Sequence, residues 1–289
     1  MIFIRQVDSW GRAMATVAAI PTGREPRIDV LSGTPRAHAV DRWIYVAMSG
    51  WFIAIVLVGF IPDSVMKIAA VKAGIRTAFP PILHVHAMLM GSFLLLLLAQ
   101  TTLVAKGRCD LHRRLGVLGM VLAPSLIIAG FLLVPTNYAL ALELSRSGSD
   151  AGRQAMATRI PQMENILLMQ GKAGVLFGIL LTVGLIARGR DAGLHKRMMI
   201  LATAMPLGAA FARMPWLPTT MPASPLSLEL YILVAITPML AWDVIRNRSV
   251  HRAYWIWLAA YLVGMAVAEM LWDTPWWHAT ARGILHGWS

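Results

Sequence analysis

Seven stretches of this chain are each about as long and as apolar as the hydrocarbon core of a bilayer demands. They cover roughly 43–62, 82–104, 115–135, 165–187, 197–214, 226–245 and 253–272. Crossing that core takes about 20 largely apolar residues in a helix. Backbone N–H and C=O groups find no water there and must bond internally, and runs of this length do so as helices. The predicted fold class is all-α, a polytopic membrane bundle of seven transmembrane helices. Only 14% of the 289 residues are charged, against about 25% in a soluble domain. That is too little charge to cover a water-facing surface.

One short pattern recurs between the runs. Residues 103–114 read LVAKGRCDLHRR, 185–197 read LIARGRDAGLHKR and 244–252 read VIRNRSVHR. Each is an elbow: an apolar run ends, a basic turn follows, one histidine appears, and the next apolar run begins. Pro124 follows His112, and Pro206 follows His195, at nearly equal distance; the third repeat lacks such a proline. The spacing predicts one helix plus three tandem helical hairpins of common origin.

The net charge of +12 would suit nucleic acid if it formed one patch. It is instead dispersed among the gaps between runs, so no nucleic-acid partner is expected. Of the 26 Lys and Arg, 17 fall in the N-terminal tail and the elbows, 8 fall on the opposite side, and Lys172 lies within a span. This bias predicts an N-in, C-out topology. Residues 1–41 then form a flexible cytoplasmic tail, 42–273 the transmembrane domain and 274–289 a short periplasmic tail. Tryptophans at the proposed ends, among them Trp43, Trp216, Trp242 and Trp255, suit the membrane interface. The segments HVHAMLMGSFLLLLLAQTTLV, DLHRRLG, LHKRMMILA and WDVIRNRSVHRAYW, within residues 82–257, resemble a broad group of uncharacterised bacterial seven-helix membrane proteins. The resemblance implies the fold and a multi-pass location in the bacterial inner membrane. It implies no activity.

Few residues in such a chain can carry chemistry. Cys109 is the single cysteine, so neither an intramolecular disulfide nor a zinc cluster is expected. The elbow histidines His112, His195 and His251, with Arg108, Arg190 and Arg248, sit at headgroup depth. They read as interfacial anchors, as a shared polar cluster, or as ligands and pH sensors. His84 and His86 open the second span after FPP; at 3.6 residues per turn they diverge by about 200°. His86 shares a face with Gln100 and is assigned to the interior.

Lys172, next to Gln170 in MENILLMQGKAGVLFG, lies well inside the fourth span. An ionisable group there is costly unless paired or wetted, which makes it a candidate functional residue; snorkelling to the interface is the alternative. Gly171, Gly174 and Gly178 supply a smooth face beside it. Glu164, Arg213, Glu229 and Glu269 are its candidate partners toward the outer leaflet, and with His84, His86 and Gln170 they make up the predicted ligand-binding set. Pro124, Pro206 and Pro238 are expected to kink their helices.

Three readings of function follow. One is binding or transport of a small molecule or ion through an outward-facing polar pocket. Another is electron transfer by haem b, and the last is a scaffold joining a membrane-protein partner or a second copy of the chain. GxxxxGK[ST], HExxH and GxSxG are all missing from the sequence, so the reading leans away from an enzyme.

Overall fold

Six of the apolar runs become uninterrupted helices, and the remaining one is broken at a proline. The structure is a computed structural model that describes Asp29, Leu31 and residues 39–286; the rest of the predicted N-terminal tail lies outside the described residues. Helices α1 (Ala39–Lys72), α2 (Pro81–Ala105), α3 (Cys109–Ser147) and α4 (Asp150–Ala187) come first. Helix α5 (Ala192–Ala204) continues through a 3-10 turn (Met205–Leu207) into the short α6 (Gly208–Phe211). Helices α7 (Leu226–Asn247), α8 (Arg252–Leu271) and α9 (Pro275–His286) complete the chain. Helices α1 to α4, α7 and α8 are long and apolar enough to cross a membrane. Every regular element among the described residues is helical.

Burial is inverted relative to a water-soluble bundle. Val117, Leu118, Val121 and Ile128 of α3 and Val263 and Val267 of α8 are exposed, while Arg197, Glu229, Asp243 and Asp41 are fully buried. Apolar side chains outside and charges inside suit a hydrocarbon solvent and would be unstable in water. The chain has the architecture of a helical multi-pass membrane protein.

Helix α5 runs through the middle. Met198, Ile200, Leu201, Ala202, Thr203 and Ala204 are all within 1% of complete burial, and α4, α8, α1 and α7 surround them. The interruption follows from Pro206, which has no N–H to give to Ala202. The Met205 N–H bonds the Ala202 carbonyl instead, which tightens the turn and leaves the Leu201 carbonyl without its helical partner. The indole of Trp257 on α8 donates to that carbonyl at 2.9 Å. By contrast, α3 and α7 run on without interruption through Pro124 and Pro238, so of these three prolines only Pro206 divides a helix.

The structure also moves the ends of the third and fourth spans. Helix α3 has 39 residues and α4 has 38, or roughly 58 and 57 Å at 1.5 Å per residue. Only Gly148 and Ser149 separate them, and the Ser149 hydroxyl caps α4 by accepting the Gly152 N–H at 3.3 Å. The expected long connection at 136–164 is thus helix, and Glu164 lies four turns into α4 rather than at its start. The stretch is polar because the hairpin extends well past the ~30 Å core of a bilayer. Gly174 and Gly178 do face α3, against Phe131 and Ile127. The predicted C-terminal tail contains α9, whose Trp277, Ala281 and Leu285 are buried one turn apart against α4 and α3.

The three elbows gather at one end. The rings of His112 and His195 meet edge to face with centroids 6.3 Å apart, and Arg252 of the third elbow pairs with Asp191 of the second. Asp191 also accepts the Leu194 N–H at 2.8 Å as the N-cap of α5. Burial pushes the Asp191 carboxyl up, but the Leu194 amide and Arg252 outweigh that and hold it below its ordinary value.

Candidate functional site

Inside the membrane-length part of the bundle, one ion pair joins two helices. Lys172 lies midway along α4 and Glu229 in the first turn of α7. Lys172 Nζ donates to Glu229 Oε1, and the two side chains retain 9% and 0% of their exposure. Tyr261 of α8 closes the third side: its ring centroid lies 5.2 Å from Nζ, and its hydroxyl donates to the Glu229 carbonyl at 2.8 Å. Trp257, one turn earlier, stacks on Tyr261 at 4.6 Å. A Cβ at Gly264 would stand 3.1 Å from Lys172 Cγ and Cδ, so the lysine stem crosses α8 where there is no side chain to block it.

Two features set this pair apart from a closed structural bridge. Glu229 Oε2 is buried and has no hydrogen-bond partner among the described residues. The broken helix also runs alongside: Gly208, just past the 3-10 turn, faces Ile232 and Met169, which lie one turn from Glu229 and Lys172. An unpartnered buried acceptor costs about 1–3 kcal/mol, so Oε2 is open to a hydrogen-bond donor.

A second cluster closes the elbow end. Arg197 of α5 donates through Nε to Asp243 Oδ2 at 2.5 Å and through Nη2 to Asp243 Oδ1 at 2.8 Å. Asp29, from the segment before α1, receives Nη1 at 2.8 Å and Nη2 at 3.0 Å. Beside it, Asp41 of α1 accepts from Arg246 at 2.9 Å and from the Trp242 indole at 2.9 Å. His251 caps α8: its Nδ1 accepts the Ala253 N–H at 3.1 Å. Burial, reinforced by the charge of Arg197, holds His251 below its ordinary imidazole pKa.

A third cluster lies at the opposite end, under α9. The Tyr138 hydroxyl donates to Glu164 Oε1 at 3.0 Å, and His278 stands between Glu164 and Asp273 at 2.6 and 3.0 Å. The hydrogen bonds from His278 and then Asn165 hold the Asp273 carboxyl below its usual value. An open cleft of ≈ 540 Å³ lies here, lined by Tyr138, Pro161, Glu164, His278 and Arg282 among others.

The predicted ligand-binding set is therefore dispersed. Lys172 and Glu229 meet, and Glu164 belongs to the cleft. Arg213 instead reaches Asp63 of α1 at 3.3 Å and lies over Phe60 at 4.3 Å. Glu269 accepts from the Ser224 hydroxyl at 3.0 Å, and Gln170 is exposed. His84 is exposed, edge-on to Phe79, whereas His86 turns inward against Gly130 of α3. His112 and His195 touch, while Arg108, Arg190 and Arg248 point to the surface.

Three important residues were not singled out from sequence: Arg197, Asp243 and Tyr261. Asp243, an acid inside an apolar run, was the available signal; Arg197 was hidden among the elbow cations. Comparison with known proteins finds no family model, curated protein or solved structure that matches the chain.

Proposed function

We propose that this is a seven-crossing inner-membrane protein, N-in and C-out, that binds a small polar solute or ion at the Lys172–Glu229 pair and moves it across the bilayer. In this reading the composite α5–α6 helix is the remaining crossing, and the chain belongs with the bacterial seven-helix proteins that its sequence resembles. The observation that carries the reading is the buried Glu229 carboxylate, one oxygen held by Lys172 and the other without a hydrogen-bond partner among the described residues, beside an interrupted helix. Broken helices at mid-membrane depth recur at transporter binding sites, because they bring backbone polar groups to a buried ligand. The cleft under α9 lies about 12 Å further along α4, at 1.5 Å per residue, and serves as the outer entrance.

The test is a stability screen of the detergent-purified protein against small amines, amides, alcohols and alkali cations. A bound solute raises the melting temperature by mass action. At least one class should stabilise the wild type and leave Glu229→Gln unchanged. If no solute distinguishes the two proteins, the proposal fails.

A further inference from the structure

The elbow-end cluster contains more than two helices need to hold together. Arg197 is fully buried, and Asp243 alone engages it with both carboxylate oxygens, a complete two-pronged pairing. The other edge of the guanidinium takes a second carboxylate, Asp29, again on both oxygens. Asp29 belongs to none of the helices and reaches in from the segment before α1.

The place it occupies is a cradle. Arg197 forms the back, Asn247 Nδ2 approaches Asp29 Oδ1 at 3.3 Å, and Lys196 Nζ stands 4.0 Å from Oδ2. The floor is Gly193, where a Cβ would stand 2.7 Å from Asp29 Oδ2, so a side chain there would press on the carboxylate. Asp29 keeps 18% of its side-chain exposure while Arg197 and Asp243 keep 0% and 1%, so the carboxylate sits at the mouth. With Asp29 removed, the outer edge of the Arg197 guanidinium loses the carboxylate that accepts from its Nη1 and Nη2.

We infer that this cradle is a carboxylate-binding site in which Asp29 is a tethered occupant, and that a small free carboxylate takes the same place once the Asp29 side chain vacates it. The chemistry selects the ligand class. Two oxygens in one plane match two N–H groups of the guanidinium, the geometry that Asp29 shows here and that a free carboxylate reproduces. Occupancy by Asp29 ties the segment before α1 to the elbow ends of α5 and α7. The inference is independent of Lys172 and Glu229.

The experiment uses the full chain in detergent, with thermal unfolding followed by tryptophan fluorescence. Wild type and Asp29→Gly are titrated with sodium formate, acetate or phosphate against chloride at equal ionic strength. Asp29→Gly should melt a few degrees below wild type in chloride, and formate or acetate should restore at least half of the loss. Phosphate should not restore it, and wild type should not respond. If Asp29→Gly yields no folded protein in chloride, Asp29→Ala, which also empties the cradle and leaves the backbone less free, goes through the same titration. Three results would each overturn the inference: equal melting of variant and wild type in chloride, no difference between formate and chloride, or an equal formate gain in both proteins.

Discussion

At Lys172 the reach of the side chain matters as much as its charge. Its stem crosses α8 at Gly264, and its ammonium ends against Glu229 with Tyr261 over it. Glu229 is fully buried and Lys172 nearly so, so removing one partner strands the other. Lys172→Met or Glu229→Gln alone is expected to cost about 3–5 kcal/mol. The double variant Lys172→Met/Glu229→Gln should cost less than the sum of the two. A double-mutant cycle of unfolding in detergent measures this, and additive losses would contradict the pairing. His251 gives the matching expectation for pH. Its folded pKa lies below its ordinary value of 6.5, so the unfolded chain takes up the proton first. Stability is then fully present above about pH 6.5 and falls as pH drops from there through the folded pKa. Protonation also removes the Nδ1 lone pair that caps α8. His251→Asn, a cap that does not titrate, should flatten the melting-temperature profile between pH 7.5 and 5; an unchanged profile would remove His251 as the cause.

Among the elements, the α5–α6 helix and the α3–α4 hairpin depart most from a row of plain membrane rods. Pro206 leaves the Leu201 carbonyl to Trp257, and a buried acceptor that loses its donor costs about 1–3 kcal/mol. Trp257→Phe keeps a ring for Tyr261 and removes the N–H, so it should lower stability by that amount. In a Pro206→Ala background, where α5 can regain its own hydrogen bonds, the same change should cost less. Thermal unfolding of the four proteins decides it, and equal losses in both backgrounds would sink the explanation. The hairpin tip offers an independent check. Gly148 and Ser149 join two helices far longer than the bilayer core, so a short epitope inserted between them should leave the fold intact and bind antibody on intact spheroplasts. Failure to bind there while binding in lysed membranes would reverse the proposed sidedness.

For the whole molecule, the decisive property is which ends of the helices share a compartment. The elbows converge through His112 with His195 and Arg252 with Asp191. The Asp41–Arg246 pair ties the start of α1 to the end of α7 at the same end. Cys109, the single cysteine, is exposed there. A membrane-impermeant maleimide should leave it unlabelled in intact cells and label it after permeabilisation. Labelling in intact cells would overturn the N-in topology and the outward direction of the cleft with it.

Residues 43–62, 82–104, 226–245 and 253–272 were legible as helices from sequence because the bilayer length and the need for internal hydrogen bonds act on each run by itself. The polarity of Lys172 and Glu229 was equally visible, since a charge in an apolar run is conspicuous wherever the run ends up. Which charges meet was not visible. Glu229 rather than Glu164 or Glu269 pairs with Lys172, and Arg197 finds Asp29 and Asp243, because rotation and depth are set by how α4, α5, α7 and α8 pack, glycine against side chain. Those contacts join residues far apart along the chain, and only the assembled bundle decides them.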